Sequence, residues 1–176
     1  GDTIGGWEKG DGELWVTTIP AAQSGDWYFH QLFVDADRRT RARTPNEGYV
    51  HIADTIDPLT DRNASRSDPS FKIGFRYNEG DLKTVPDMED VNIILYHAWT
   101  ASVHWIKELD EANRIVRFTA PSGWPVGYWD AKARYEVENY LEALDSPGEW
   151  YLQRSTGKLY YWPLPGEDMS KVEVVA

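Results

Sequence analysis

The stretch Glu149-Trp150-Tyr151-Leu152-Gln153-Arg154-Ser155-Thr156-Gly157-Lys158-Leu159-Tyr160-Tyr161-Trp162 decides the fold class. Two runs rich in Trp, Tyr and Leu flank Ser-Thr-Gly. Aromatic side chains suit a pleated, half-buried surface, and Ser, Thr and Gly accept turn dihedrals. The stretch therefore reads as a β-hairpin, with strands Glu149–Arg154 and Lys158–Trp162. The same grammar recurs upstream. Asp35-Ala36-Asp37 joins Tyr28–Val34 to Arg39–Arg43, and Asp110-Glu111-Ala112-Asn113 joins Ser102–Leu109 to Arg114–Thr119. Further strands are expected at Glu13–Ile19, Phe71–Tyr77, Val91–His97, Arg134–Glu138 and Lys171–Val175. Apolar spacing is mostly period 2, in short runs separated by Gly, Pro, Asp and Asn. The expectation is an all-β fold: an antiparallel β-sandwich or barrel-like domain with long loops and little helix. Glu47–Pro69 is the most polar stretch and reads as a long surface loop. Ala131–Leu144 reads two ways: Tyr135, Val137 and Leu141 alternate as on a strand, while Tyr140, Leu141 and Leu144 fit a short helix. Pro147-Gly148 ends either one.

Composition narrows the function classes. The 176 residues include 9 Trp, 10 Tyr and 5 Phe but no Cys. Without Cys there are no disulfides, thiolate metal sites or thiol nucleophiles. So many aromatics exclude a disordered chain. The length favours one domain. Acid exceeds base, 29 Asp and Glu against 18 Lys and Arg, for a net charge of −11. That argues against nucleic acid, because phosphate binding wants positive charge. No apolar run reaches the length of a membrane helix, and no cofactor or metal site is expected. The start at Gly1, without an initiator Met, reads as a mature protein or an excised fragment.

Four features could carry chemistry. In Arg38-Arg39-Thr40-Arg41-Ala42-Arg43, alternation puts Arg39, Arg41 and Arg43 on one face. They form either a solvated or salt-bridged face, or a contact for a ligand or docking partner, with Asn46 at the rim. His97-Ala98-Trp99-Thr100 with His104 and Trp105 lacks a metal-ligand spacing. Its histidines are structural, or one serves as a general acid or base. Trp124-Pro125-Val126-Gly127-Tyr128-Trp129 is an aromatic loop. It either caps the core or offers ring faces to sugars, whose C–H faces match flat apolar rings. Glu136, Glu138, Glu142, Asp145 and Glu149 could supply the two carboxylates of a glycosidase, or are structural and solvated acids. No nucleophile elbow, zinc helix, P-loop or dinucleotide fingerprint occurs. Asp57, Asp61 and Asn63 lack the order of a calcium loop.

Longer ordered segments carry a resemblance. They are Gln31-Leu32-Phe33-Val34 with Arg38 to Asn46; Tyr96-His97-Ala98-Trp99-Thr100-Ala101-Ser102; Trp124-Pro125; Val137-Glu138-Asn139-Tyr140; and Leu144 to Leu152 with Thr156 to Pro163. Spanning about Gly6 to Ala176, they resemble the insertion domain of glycoside hydrolase family 141 and of the similar family 120. One departure is Gln153, where the pattern expects Asp. The resemblance implies that residues 1–176 form a single β domain inserted in a larger, exported (extracellular or periplasmic) bacterial enzyme built on a parallel β-helix. It implies a non-catalytic accessory role, shaping the substrate cleft or the parent's assembly, with the catalytic carboxylates on the β-helix outside this chain. The expected partners are the parent β-helix in cis and a polysaccharide or oligosaccharide. The alternatives are an independent carbohydrate-binding module and a structural spacer or oligomer-interface domain. The residues expected to contact ligand or host are Arg41, Arg43, Asn46, His97, Trp99, Trp124, Tyr128 and Trp129.

Overall fold

The structure, a computed structural model, describes residues 1–176. In chain order the strands are β1 (Glu8–Lys9), β2 (Trp15–Thr18), β3 (Leu32–Val34), β4 (Asp37–Arg41), β5 (Arg43–Thr44), β6 (Val50–His51) and β7 (Gly74–Arg76). They continue as β8 (Asn92–Tyr96), β9 (Ala101–Asp110), β10 (Ile115–Phe118), β11 (Arg134–Glu138), β12 (Glu149–Gln153), β13 (Lys158–Tyr161) and β14 (Val174–Val175). Helix is confined to α1 (Pro20–Ser24), α2 (Arg62–Ser65) and three single 3-10 turns. The fold is all-β, as expected. The chain divides into two compact units. The first holds Gly1–Arg43 and Asn139–Ala176, the second Thr44–Glu138, and β5 marks the passage between them.

In the first unit the sheet order is β1-β2-β13-β12-β4-β3-β14. The decisive stretch forms the hairpin β12–β13, with Trp150 opposite Tyr161 and Leu152 opposite Leu159. These four fully buried side chains face one way, with Phe29, Leu32 and Val34. Tyr151 and Tyr160 face the other way, with Leu14, Ala42 and Leu144. Gly157 turns the hairpin at φ +69°, where a Cβ would stand 2.6 Å from the Ile19 carbonyl oxygen. The β3–β4 turn places Asp35 and Ala36 at φ 49° and 67°, the left-handed pair that matches strand twist in two-residue hairpins. One junction is parallel, β12 with β4. The first and last residues are zipped together: the Asp2 amide donates to the Ala176 carbonyl (2.9 Å) and the Ala176 amide to that of Asp2 (3.2 Å).

Ala131–Leu144 contains both of its readings in series. Strand β11 runs to Glu138, then Asn139 turns the chain at φ 64° and Leu141–Ala143 form a 3-10 turn. Asn139 tolerates the left-handed region better than most residues. It is fully buried. Its side-chain amide donates to the Leu152 carbonyl and accepts from the Leu152 amide, both at 3.2 Å. It thereby serves β12 as one more strand residue would.

In the second unit the order is β11-β8-β9-β10-β7, with β6 paired to β11. Phe75, Ile93, Leu95, Val116, Tyr135 and Val137 are buried. Two expectations are corrected here. The Glu47–Pro69 stretch is not all loop. Val50 pairs with Tyr135 in β6, and the Asp61 carboxylate starts α2 by accepting from the Asn63 and Ala64 amides. The expected strand at Phe71 begins only at Gly74, because Pro69 and the Asp68 carboxylate, which accepts from the Ser70 amide, first set a 3-10 turn.

Candidate functional site

The aromatic loop between β10 and β11 is pinned by its backbone. The Val126 amide donates to the Phe71 carbonyl and the Ser122 amide to that of Lys72, both at 2.8 Å. The Ser122 hydroxyl donates to the Trp124 carbonyl. Gly127 supplies a positive φ of 74°. Pro125, Val126 and Gly127 are buried. This inward anchoring leaves the alternate rings, Trp124, Tyr128 and Trp129, to point elsewhere.

They meet Trp99, which comes from the tip of the β8–β9 hairpin. That tip is closed by a bond from the His97 amide to the Thr100 carbonyl (2.8 Å). Trp99 and Trp129 have ring centroids 4.8 Å apart with planes at 54°. Trp124 lies 6.3 Å from Trp99 and 5.5 Å from Trp129. Tyr128 lies 4.8 Å from Trp129. Trp99 is 68% and Trp129 42% exposed, while Trp124 and Tyr128 are half-buried. The inner rings support the outer ones, so two tryptophan faces are held toward solvent at little conformational cost.

Two arginines complete the cluster. The Arg66 guanidinium stands 4.7 Å from the Trp124 centroid and that of Arg62 stands 5.6 Å from Tyr128. Both sit on or beside α2, four residues apart and therefore on one helical face. Sequence reading passed over them because they lie in the polar stretch taken as loop. The available signal was Asp61 as an N-cap followed by Arg-x-x-x-Arg.

Behind the Trp99 hairpin, two histidines are linked through a serine. His97 Nε2 is 3.0 Å from Ser102 Oγ, which is 2.7 Å from His104 Nε2. His104 lies flat on Phe118, with centroids 4.0 Å apart and planes at 9°. Burial, then the neighbouring His97, lowers the His104 pKa to about 4. Burial also lowers that of His97. Neutral His104 therefore accepts from the Ser102 hydroxyl. Nearby, the Tyr96 hydroxyl donates to buried Glu136 (3.0 Å). Burial, then that carboxylate, pushes the Tyr96 pKa up to about 12.

The remaining sequence candidates lie elsewhere. Arg41 is 5% exposed in the first unit. Its Nη2 donates to the Tyr28 hydroxyl (2.9 Å), and its Nη1 stands 3.2 Å from His30 Nδ1. The guanidinium also lies 5.6 Å from the Trp150 ring. Arg43 is half-buried and Asn46 exposed. Glu149 is buried and accepts from the Asp145 and Ser146 amides, both at 3.1 Å. Burial raises its pKa. Gln153 accepts from the Thr156 hydroxyl (2.7 Å) within the hairpin turn, so its departure from the expected Asp still serves the turn.

Comparison with known proteins gives two matches. A family model described as the GH141 insertion domain covers residues 12–164. A solved structure titled "Glycoside hydrolase" superimposes with a TM-score of 0.76 at 23% identity, over 98% of this chain and 30% of that chain. At that identity the likeness is one of fold, and this chain spans under a third of the neighbour's length. No curated protein matches. The matched residues take in strands β2 to β13, the Trp99 hairpin and the aromatic loop, and the chain belongs to the family of GH141 insertion domains.

Proposed function

We propose that this domain is a non-catalytic accessory part of an exported glycoside hydrolase whose main body is a parallel β-helix, and that it holds the carbohydrate substrate beside the catalytic cleft. The observation that carries this reading is the exposed Trp99–Trp129 pair, braced by Trp124 and Tyr128. Flat apolar faces held toward water stack on the C–H faces of sugar rings, and the indole N–H adds a donor. Family membership supports the accessory role.

The test compares the parent enzyme with its Trp99→Ala and Trp129→Ala variants on a polymeric glycan and on a small aryl glycoside. Losing one stacking face removes about 1.4 kcal/mol, or about tenfold in KM for the polymer. Values for the aryl glycoside stay unchanged. Unchanged polymer kinetics in both variants would remove the substrate-holding role. Turnover by residues 1–176 alone, abolished by Glu149→Gln, would remove the non-catalytic reading.

A further inference from the structure

We infer that the ring platform is built for glycans bearing an anionic group, a carboxylate or a sulfate, recognised by Arg62 and Arg66; this rests on the carbohydrate reading above. The two guanidiniums lie over the supporting rings of the platform, and neither forms an ion pair or a side-chain hydrogen bond. That is unexpected in a chain with 29 acidic residues. The carboxylates nearest in sequence are already engaged by backbone amides. Asp61 accepts from Asn63 and Ala64, and Asp68 from Ser70. Two like charges one helical turn apart repel; here stacking on Trp124 and Tyr128 holds them in place.

Each guanidinium stands over a ring on an exposed residue, with its N–H donors open to solvent. Its N–H edge is a planar fork matching the two oxygens of a carboxylate or sulfate. A sugar stacked on Trp99 or Trp129 would bring a substituent of its own ring, or of the next one, to this edge. The strongly acidic remainder of the chain repels polyanions generally. An anionic glycan is therefore favoured at this local site and disfavoured elsewhere on the surface.

The experiment is calorimetric titration of the 176-residue chain with three oligomers of equal length: an oligogalacturonate, the same oligomer fully methyl-esterified, and a sulfated galactan oligomer. The expected result is binding of the oligogalacturonate about tenfold tighter than its ester, weakening as salt rises. Arg62→Gln with Arg66→Gln abolishes that preference, so that the oligogalacturonate and its ester bind alike. Trp99→Ala weakens all the oligomers that bind. Tighter binding of the sulfated oligomer than of the oligogalacturonate assigns the site to sulfate; the reverse assigns it to uronate. Equal binding of uronate and ester, both lost in Trp99→Ala, overturns the anionic specificity and leaves the carbohydrate reading standing. Binding of none of the three, or binding indifferent to Trp99→Ala, overturns both. The arginines are exposed, so their Gln variants fold, which circular dichroism checks.

Discussion

Acidification should weaken the second unit through His104, by an amount set by its surroundings. The ring is 6% exposed and stacked on Phe118. Its Nε2 accepts a hydrogen bond from the Ser102 hydroxyl, and its other N–H donates to the Ala120 carbonyl. Its pKa is about 4 in the fold against 6.5 in a free chain. The unfolded chain thus binds a proton first as pH falls. Stability from His104 is complete above about pH 6.5 and is lost progressively down to about pH 4. Each pH unit in that window is worth about 1.4 kcal/mol, so the whole loss is about 3 kcal/mol. A proton on His104 also forces Ser102 to accept where it had donated. The hydroxyl must then turn toward His97, so that His97 Nε2 accepts. A second proton on His97 makes both rings donors to the Ser102 oxygen, whose own proton then has no acceptor in the bridge, and sets two imidazolium charges against each other beneath the Trp99 hairpin. The assay is urea unfolding followed by tryptophan fluorescence from pH 8 to pH 4, in the native chain and in His104→Gln. Carboxylates titrate alike in both, so their curves should diverge by about 3 kcal/mol, the native chain losing more. Parallel curves, within about 0.5 kcal/mol, would refute the assignment of a buried neutral imidazole.

Three further outcomes test the framework around the site. Glu167→Ala removes the carboxylate that bonds Arg39 Nη2 and the Tyr161 hydroxyl, both at 2.5 Å. It leaves a largely buried guanidinium uncompensated, so urea unfolding should show a loss of about 3 kcal/mol. Gly157→Ala places a Cβ against the Ile19 carbonyl at positive φ, which should cost about 1–3 kcal/mol by thermal denaturation. Asn139→Ala strips two partners from buried Leu152 backbone groups. It should cost about 2–4 kcal/mol and raise amide exchange at Leu152, whereas no change in exchange would remove its strand-mimicking role.

What the sequence disclosed follows the reach of each interaction. The β12–β13 hairpin and the Asp35-Ala36 turn were legible because turn residues and alternation act between neighbours in the chain. The parallel junction of β12 with β4 was not, since nothing local to Glu149 or Thr40 encodes a partner so far away. Helix α2 is one turn long, too short for any periodicity, and only its Asp61 cap advertised it. The site shows the same division. Trp124, Tyr128 and Trp129 stood out as one run of sequence. Their packing on Trp99, and the arginines above them, depend on where the β8–β9 hairpin and α2 are carried by the sheet.

The arginines show how one residue type takes opposite roles within one chain. Arg39, Arg41 and Arg43 attracted notice because they alternate on a strand, and a basic face on an acidic protein invites a partner. For Arg39 and Arg41 the fold supplies that partner internally: Glu167 and Tyr161 for the first, Tyr28 and His30 for the second. Desolvating a guanidinium is costly unless its donors are engaged, so such engagement is what permits their burial. Arg62 and Arg66 have the reverse arrangement. Their guanidiniums stand over aromatic rings, and both residues are exposed. A ligand that takes those donors displaces only solvent and breaks no bond within the protein. On the proposed reading, anion recognition falls to Arg62 and Arg66, which stand over rings on exposed residues. A run of basic residues in sequence does not distinguish the two cases, because the distinction lies in which atoms of each side chain the fold covers.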